Sequence, residues 1–132
     1  FITNQFSIER LGNIILNHST KIIVAEYKNN LIGVAEIEFD KQCPINNIVE
    51  AELNKLYILE WFSGQGVGYQ LIQEAEKIVI SKGIKKMWLW VLITNERAIS
   101  FYEKQNYKWI GNASFQMETN NYENKVMLKE LK

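Results

Sequence analysis

Hydrophobic positions recur at several different spacings along this chain, and each spacing predicts an element. Phe6, Ile8, Leu11, Ile14 and Ile15 lie at helical intervals, so residues 6–16 are expected to form an amphipathic helix, weakened by Gly12. Lys21–Tyr27 and Leu31–Phe39 read as two antiparallel strands joined at Lys28-Asn29-Asn30. Asp40–Asn47 holds the one proline and reads as an exposed loop ahead of a strand over Glu50–Leu59. From Gly66 to Ser81 the residues Leu71, Ile72, Ala75, Ile78 and Val79 share one helical face, with Gln73, Glu74, Glu76 and Lys77 elsewhere. Gly83 stops that helix. Lys86–Leu92 is apolar enough for a central strand covered on both sides, parallel to the strand before it because a helix connects them. Thr94 or Asn95 can cap a further helix, and Tyr107–Met117 and Tyr122–Leu131 follow as strands around a Glu118–Asn121 turn.

The turn before the long helix is rich in glycine. Ser63-Gly64-Gln65-Gly66-Val67-Gly68 lies between a strand and a helix start, where small residues let the backbone approach an anion and the free helical N–H groups attract it. A nucleotide-binding loop of the Walker type needs Gly-Lys-Ser/Thr, but Tyr69 and Gln70 follow Gly68. A dinucleotide fingerprint needs a third glycine where Tyr69 or Leu71 stands.

The loop instead resembles the acetyl-CoA loop of the GNAT superfamily of N-acetyltransferases, Gln/Arg-x-x-Gly-x-Gly/Ala, with Ser63 departing at its first position. A second segment, Asn95-Glu96-Arg97-Ala98-Ile99-Ser100-Phe101-Tyr102-Glu103-Lys104-Gln105-Asn106-Tyr107, resembles the family's Asn-x-x-Ala-x-x-Phe-Tyr-x-x-x-Gly-Phe motif. Asn106 stands for the glycine, and asparagine tolerates the left-handed conformation that closes a helix. The resemblance implies an α/β GNAT fold: one domain over residues 1–132, with a mixed, mostly antiparallel sheet and helices on both faces. It covers nearly the whole chain but leaves out the family's first strand and first helix. A start at Phe1 in place of methionine suggests a trimmed N-terminus.

The same resemblance implies direct acetyl transfer from acetyl-CoA to a primary amine, without a metal. Backbone groups of Leu56, Tyr57 and Ile58 would meet the pantetheine arm. Ser63, Gly64, Gln65, Gly66, Val67, Gly68 and Tyr69 would surround the diphosphate. Asn95 would cap its helix, bond the pantetheine arm, or do both. Tyr102 would be the general acid, its ordinary pKa of ~10 suiting protonation of a thiolate near ~8.5. An amine with a pKa of ~10.4 must lose a proton, and Glu52 occupies the place of the acid many relatives carry; Glu50, two residues away on the same strand face, is its rival. Glu52 also reads as a solvated strand residue, and Tyr102 as a core aromatic showing only its hydroxyl.

Composition narrows the partners. Fifteen basic and fifteen acidic residues cancel, which argues against a nucleic-acid partner. No apolar run suits a membrane span, and a lone Cys43, read as a surface thiol, fits a reducing, cytoplasmic setting. His18 has no evident partner. Trp61, Phe62, Trp88, Trp90 and Trp109 are expected in the core or at a homodimer surface. The chain also looks similar to bacterial PaiA-like spermine/spermidine acetyltransferases, for which Glu26, Glu36, Glu38, Glu50, Glu52 and Glu118 are available carboxylates. Two rivals keep the same cofactor motifs: a protein or peptide N-acetyltransferase, and a non-catalytic acyl-CoA-binding domain.

Overall fold

The hairpin at the centre of the N-terminal half shows how local chemistry sets this architecture. Lys28 and Asn29 both adopt positive φ, at 51° and 64°, the paired left-handed turn whose twist matches two antiparallel strands. It joins β2 (Thr20–Tyr27) to β3 (Asn30–Gln42). The computed structural model describes residues 10–17, 19–59, 64, 66–117 and 120–131, with the side chains of 10–17 and 115–122 excluded. Ahead of the hairpin lies β1 (Arg10–Asn17); after it come β4 (Val49–Ile58), α1 (Val67–Ser81), β5 (Lys86–Leu92), α2 (Glu96–Lys104), β6 (Lys108–Met117) and β7 (Asn120–Glu130). The strands form one sheet in the order β1-β2-β3-β4-β5-β7-β6. All neighbours are antiparallel except β4 and β5.

One element overturns its expectation. From Arg10 on, the helix expected over residues 6–16 is instead β1, in register with β2 from Arg10↔Glu26 to Asn17↔Thr20. Helical spacing over so short a stretch does not exclude a strand; Gly12 disfavours the helix, and β2, starting three residues beyond Asn17, offers an edge on which this segment pairs. The two asparagines expected in the last turn, Asn120 and Asn121, belong to β7.

Strand alternation sorts side chains onto the two sheet faces. Ile23, Ala35, Ile37, Leu53, Met87, Leu89 and Met127 join Leu71, Ile72, Ala75 and Val79 of α1 and Ile99 of α2 in the main core. Of the helices expected on both faces, the two described ones both feed this cluster. The opposite face holds a smaller cluster of Cys43, Trp88 and Val126, flanked by Ile45, Trp90 and Ile110. Cys43 is thus fully buried and not a surface thiol, because the turn after β3 folds back over Trp88, whose indole N–H bonds the Lys41 carbonyl at 3.2 Å. Trp109, by contrast, is 57% exposed.

Both helices close in the same way. Ile84 N–H reaches the Val79 carbonyl and Gly83 N–H the Ile80 carbonyl, with Gly83 at φ 78°. At the end of α2, Tyr107 N–H reaches the Tyr102 carbonyl and Asn106 N–H the Glu103 carbonyl, with Asn106 at φ 74°. Asn106 therefore does the work of a glycine. Glu76, expected off the apolar face of α1, is only 8% exposed. Its burial is compensated by the Tyr107 hydroxyl and the Lys129 ammonium, each 2.9 Å from a carboxylate oxygen. No described helix is long and apolar enough to cross a membrane.

Candidate active site

β4 and β5 run side by side for only two residue pairs, Ala51↔Met87 and Glu52↔Trp88, and then part. β4 stays paired to β3 as far as Gly33↔Ile58, and β5 to β7 as far as Leu92↔Asn124, so neither strand ends at the fork. Beyond Glu52 the β5-facing edge of β4 is consequently left without a ladder partner, and its peptide groups can accept an extended guest. A bulge sharpens the divergence: Leu53 and Lys55 oppose consecutive residues Ile37 and Glu36, which leaves Asn54 as the extra residue.

A cleft of 710 Å³ opens at this fork. Leu56, Tyr57 and Ile58 of β4 form one wall; Asn95, Arg97, Ala98, Ser100, Phe101, Tyr102 and Lys104, from α2 and its cap, form the other. Gly64, Gly66, Gly68 and Tyr69 line its third side. Gly64 and Gly66 have φ of 78° and 84°, a conformation that costs most L residues about 1–2 kcal/mol. Gly66 is the N-cap of α1, with no side-chain cap and no acid in the first turn. The leading N–H groups therefore remain available to an anion. At Gly68 an added Cβ would stand 3.1 Å from Ile58 Cδ1 and 3.4 Å from Phe101, so its bareness lets α1, β4 and α2 converge. Val67 is buried beneath the loop, whereas Ser63 and Gln65 lie outside the described residues.

Asn95 caps α2, its Oδ1 accepting from Ala98 N–H at 3.2 Å. Tyr102 stands edge-to-face with Phe101 and Tyr107, at centroid separations of 5.5 and 6.1 Å. Burial pushes its phenol up to about 12, which keeps the hydroxyl protonated across the physiological range.

Glu52 lies where the strands part, on the face opposite the main core, and is 4% exposed. Trp90 donates its indole N–H to Glu52 Oε2 at 3.0 Å. Burial raises the carboxyl above its ordinary 4.5; Lys41 and the Trp90 bond oppose that rise, while Glu38 and Glu36 add to it. Glu36 and Glu38 are tied together by Asn54, which donates to Glu36 and, at 2.9 Å, to Glu38. Lys41 stands 3.4 Å from Glu38 and Lys55 3.9 Å from Glu36.

The fold thus gathers most of the residues singled out in the sequence. Glu50, the rival acid, is opposite Lys41 in the register and is less buried than Glu52. Glu26 pairs with Leu31, at the far end of β3 from Glu36 and Glu38, and is not brought to the site. Glu118, His18, Trp61 and Phe62 lie outside the described residues. Asn54 and Trp90 were missed as site residues, although an asparagine inside a run of strand formers was a visible signal. Arg97, Ser100 and Lys104 were missed too; their spacings of three and four along α2 place them on one face.

The chain belongs to the GNAT acetyltransferase family: residues 3–107 match the model of the Acetyltransferase (GNAT) family. It is 32% identical over 112 residues to a spermidine N(1)-acetyltransferase of Thermoplasma acidophilum, covering 82% of this chain and 65% of that protein. The PaiA N-acetyltransferase of the same organism, solved in complex with coenzyme A, superposes with a TM-score of 0.62 at 27% identity, over 85% of this chain and 61% of that one. A GCN5-related N-acetyltransferase structure from Rhodopseudomonas palustris gives a TM-score of 0.71 at 19% identity, over 85% of this chain and 62% of that one, and so speaks for the fold alone. The chain spans less than two thirds of the length of each of these three proteins.

Proposed function

We propose, with that family membership as the premise, that this domain transfers an acetyl group from acetyl-CoA directly to a primary amine, and that the amine belongs to a polyamine such as spermidine or spermine. The observation that carries the reading is the cleft at the β4–β5 fork, lined by the glycines at the start of α1, the open edge of β4 and the partly buried Tyr102, with the buried Glu52 at the last β4–β5 pair.

The residues present suit acetyl-CoA. The first-turn N–H groups of Val67, Gly68 and Tyr69, with Gly64, Gly66 and the loop residues Ser63 and Gln65, would hold the diphosphate. Arg97 and Lys104 on the facing wall add positive charge toward it. The open edge at Leu56, Tyr57 and Ile58 would pair with the amide groups of the pantetheine arm, with Asn95 opposite. The bound thioester supplies an acyl group activated toward attack.

Glu52 would take the proton the amine must lose, and its raised pKa makes it a better base than an exposed glutamate. Its Oε2 is held by the Trp90 indole N–H, which fixes the position of the carboxylate. Tyr102 would donate a proton to the departing thiolate; burial, by raising its pKa to about 12, keeps the phenol protonated beforehand but makes it a weaker acid than an ordinary tyrosine, so donation relies on the negative charge that develops on the sulfur. Direct transfer needs no acyl-enzyme, so Cys43, fully buried in the second cluster, has no part in it. Support for a polyamine comes from Glu36, Glu38 and Glu52 sharing one face near the fork, and from the Thermoplasma relative.

Release of free CoA thiol with spermidine, spermine, a lysine peptide and an aminoglycoside tests this. Turnover with the polyamines, cut but still measurable in Tyr102→Phe while CoA affinity is nearly unchanged, is the expected result. Turnover confined to the peptide would replace the acceptor, and CoA binding without turnover on any amine would make this an acyl-CoA-binding domain.

A further inference from the structure

Behind Tyr102 lies a buried polar network that acetyl transfer does not itself require. Tyr107 is 2% exposed, and its hydroxyl donates to Glu76 Oε2 at 2.9 Å. Lys129 Nζ donates to Glu76 Oε1 at 2.9 Å and stands 5.7 Å from the Tyr107 ring centroid. The three side chains come from α1, from the residue just before β6 and from β7, elements far apart in sequence. Tyr107 in turn meets Tyr102 twice, through an edge-to-face ring contact at 6.1 Å and through its N–H on the Tyr102 carbonyl at 3.0 Å.

Packing alone does not explain these groups. A phenylalanine would fill the ring's space, and burying a carboxylate with an ammonium is often no more stabilising than apolar residues of the same size. Glu76 and Lys129 also line a second cavity of 760 Å³, so the network is not walled in by core atoms on that side. What the polar bonds add is direction: the hydroxyl bond fixes the tilt of the Tyr107 ring, and that ring is one of two against which Tyr102 rests.

We infer that Tyr107 is a positioning residue for Tyr102, anchored through Glu76 and Lys129, so that an ion pair at the back of α1 sets the aim of the phenol in the cofactor cleft. This inference rests on the role proposed for Tyr102. A tilt of the phenol matters because proton donation depends on its reach to a single atom.

The experiment measures acetyl transfer and CoA affinity for Tyr107→Phe and Glu76→Gln, each alone and combined with Tyr102→Phe. Both single variants are expected to lower kcat roughly five- to tenfold, leave the Kd for CoA within about twofold, and add nothing once Tyr102 is already phenylalanine. Unchanged kcat, or effects that multiply with Tyr102→Phe, would overturn the inference. A second measurement needs no turnover: in protein labelled at its tyrosine rings, Glu76→Gln should move the Tyr102 ring resonances, although Tyr107 stands between them. Unmoved Tyr102 resonances overturn the strut even if the enzyme is active. Moved resonances in a protein that acetylates no amine would leave the strut standing and remove the acetyltransferase reading.

Discussion

In the proposed function the two sides of the β4–β5 fork would recognise their guests by different means. On the cofactor side the donors are backbone N–H groups, presented by glycines with left-handed φ and by a helix start that carries no competing acid. On the proposed acceptor side the charge would come from side chains: Glu36 and Glu38 from β3, bridged by the neutral Asn54, and Glu52 from β4. Backbone recognition tolerates side-chain change as long as the glycines remain, because each peptide unit brings its donor whatever the residue. Side-chain recognition can be rewritten by single substitutions. On this reading the cofactor side would be the more general half of the site, and the acceptor side the half where specificity can be tuned.

The largest expected effect tests the acceptor side. Glu52→Gln should lower kcat/KM on the order of 10²-fold or more, with CoA affinity kept. Because a base must be ionised, wild-type activity should rise with pH through a midpoint above the ordinary 4.5, and Glu52→Gln should lose that limb. The same raised pKa makes a stability prediction of opposite sign. A carboxyl raised on folding stabilises the protein fully only below its unfolded value near 4.5, and that contribution is lost as pH rises through the folded value. Glu52→Gln should therefore melt above wild type at neutral pH, with the difference shrinking on acidification; a lower melting temperature throughout would show the charge to be favourable where it sits.

A change of backbone freedom addresses the other half. Gly66→Val places a β-branched side chain at φ 84° and should weaken CoA about tenfold, while an acceptor-side substitution leaves CoA binding unchanged. Equal CoA affinity in Gly66→Val, read by calorimetry, would mean the helix start is not what holds the diphosphate. Glu38→Gln should raise the spermidine KM several-fold and leave a singly charged amine unaffected, since only the multiply charged acceptor uses the second carboxylate. An equal rise for both amines would deny Glu38 any part in selectivity. The smallest effect is expected from Asn95→Ala, which removes the cap on Ala98 N–H and should cost about 1 kcal/mol of stability in a denaturant titration.

Local sequence made the cofactor half legible. Gly64, Gly66 and Gly68 before an amphipathic helix, and Asn95 followed by Phe101-Tyr102, announce a phosphate-facing turn and a capped helix within contiguous segments. Asn106 could be assigned a left-handed conformation because few other residues adopt it without strain. The cap of α2 followed for the same reason: the deciding interaction, Asn95 with Ala98 N–H, lies within a few residues.

The features the sequence withheld depend on partners distant in the chain. Residues 10–16 carry apolar positions compatible with helix or strand, and pairing with β2 decided for the strand. Cys43 was placed on the surface by its turn-like neighbours, yet the loop folds over Trp88. Glu76 lies off the apolar face in the sequence of α1, which carries no sign of Tyr107 and Lys129. Among several glutamates in the strands, only the β3–β4 register and the indole of Trp90 on β5 distinguish Glu52 as the buried one. What the sequence determined by itself was the set of elements whose conformation is limited by their own residues: glycine turns, caps and helix faces. The tertiary structure alone decided which charges are buried and which strands part, because burial and pairing depend on atoms that the chain brings together only when it folds.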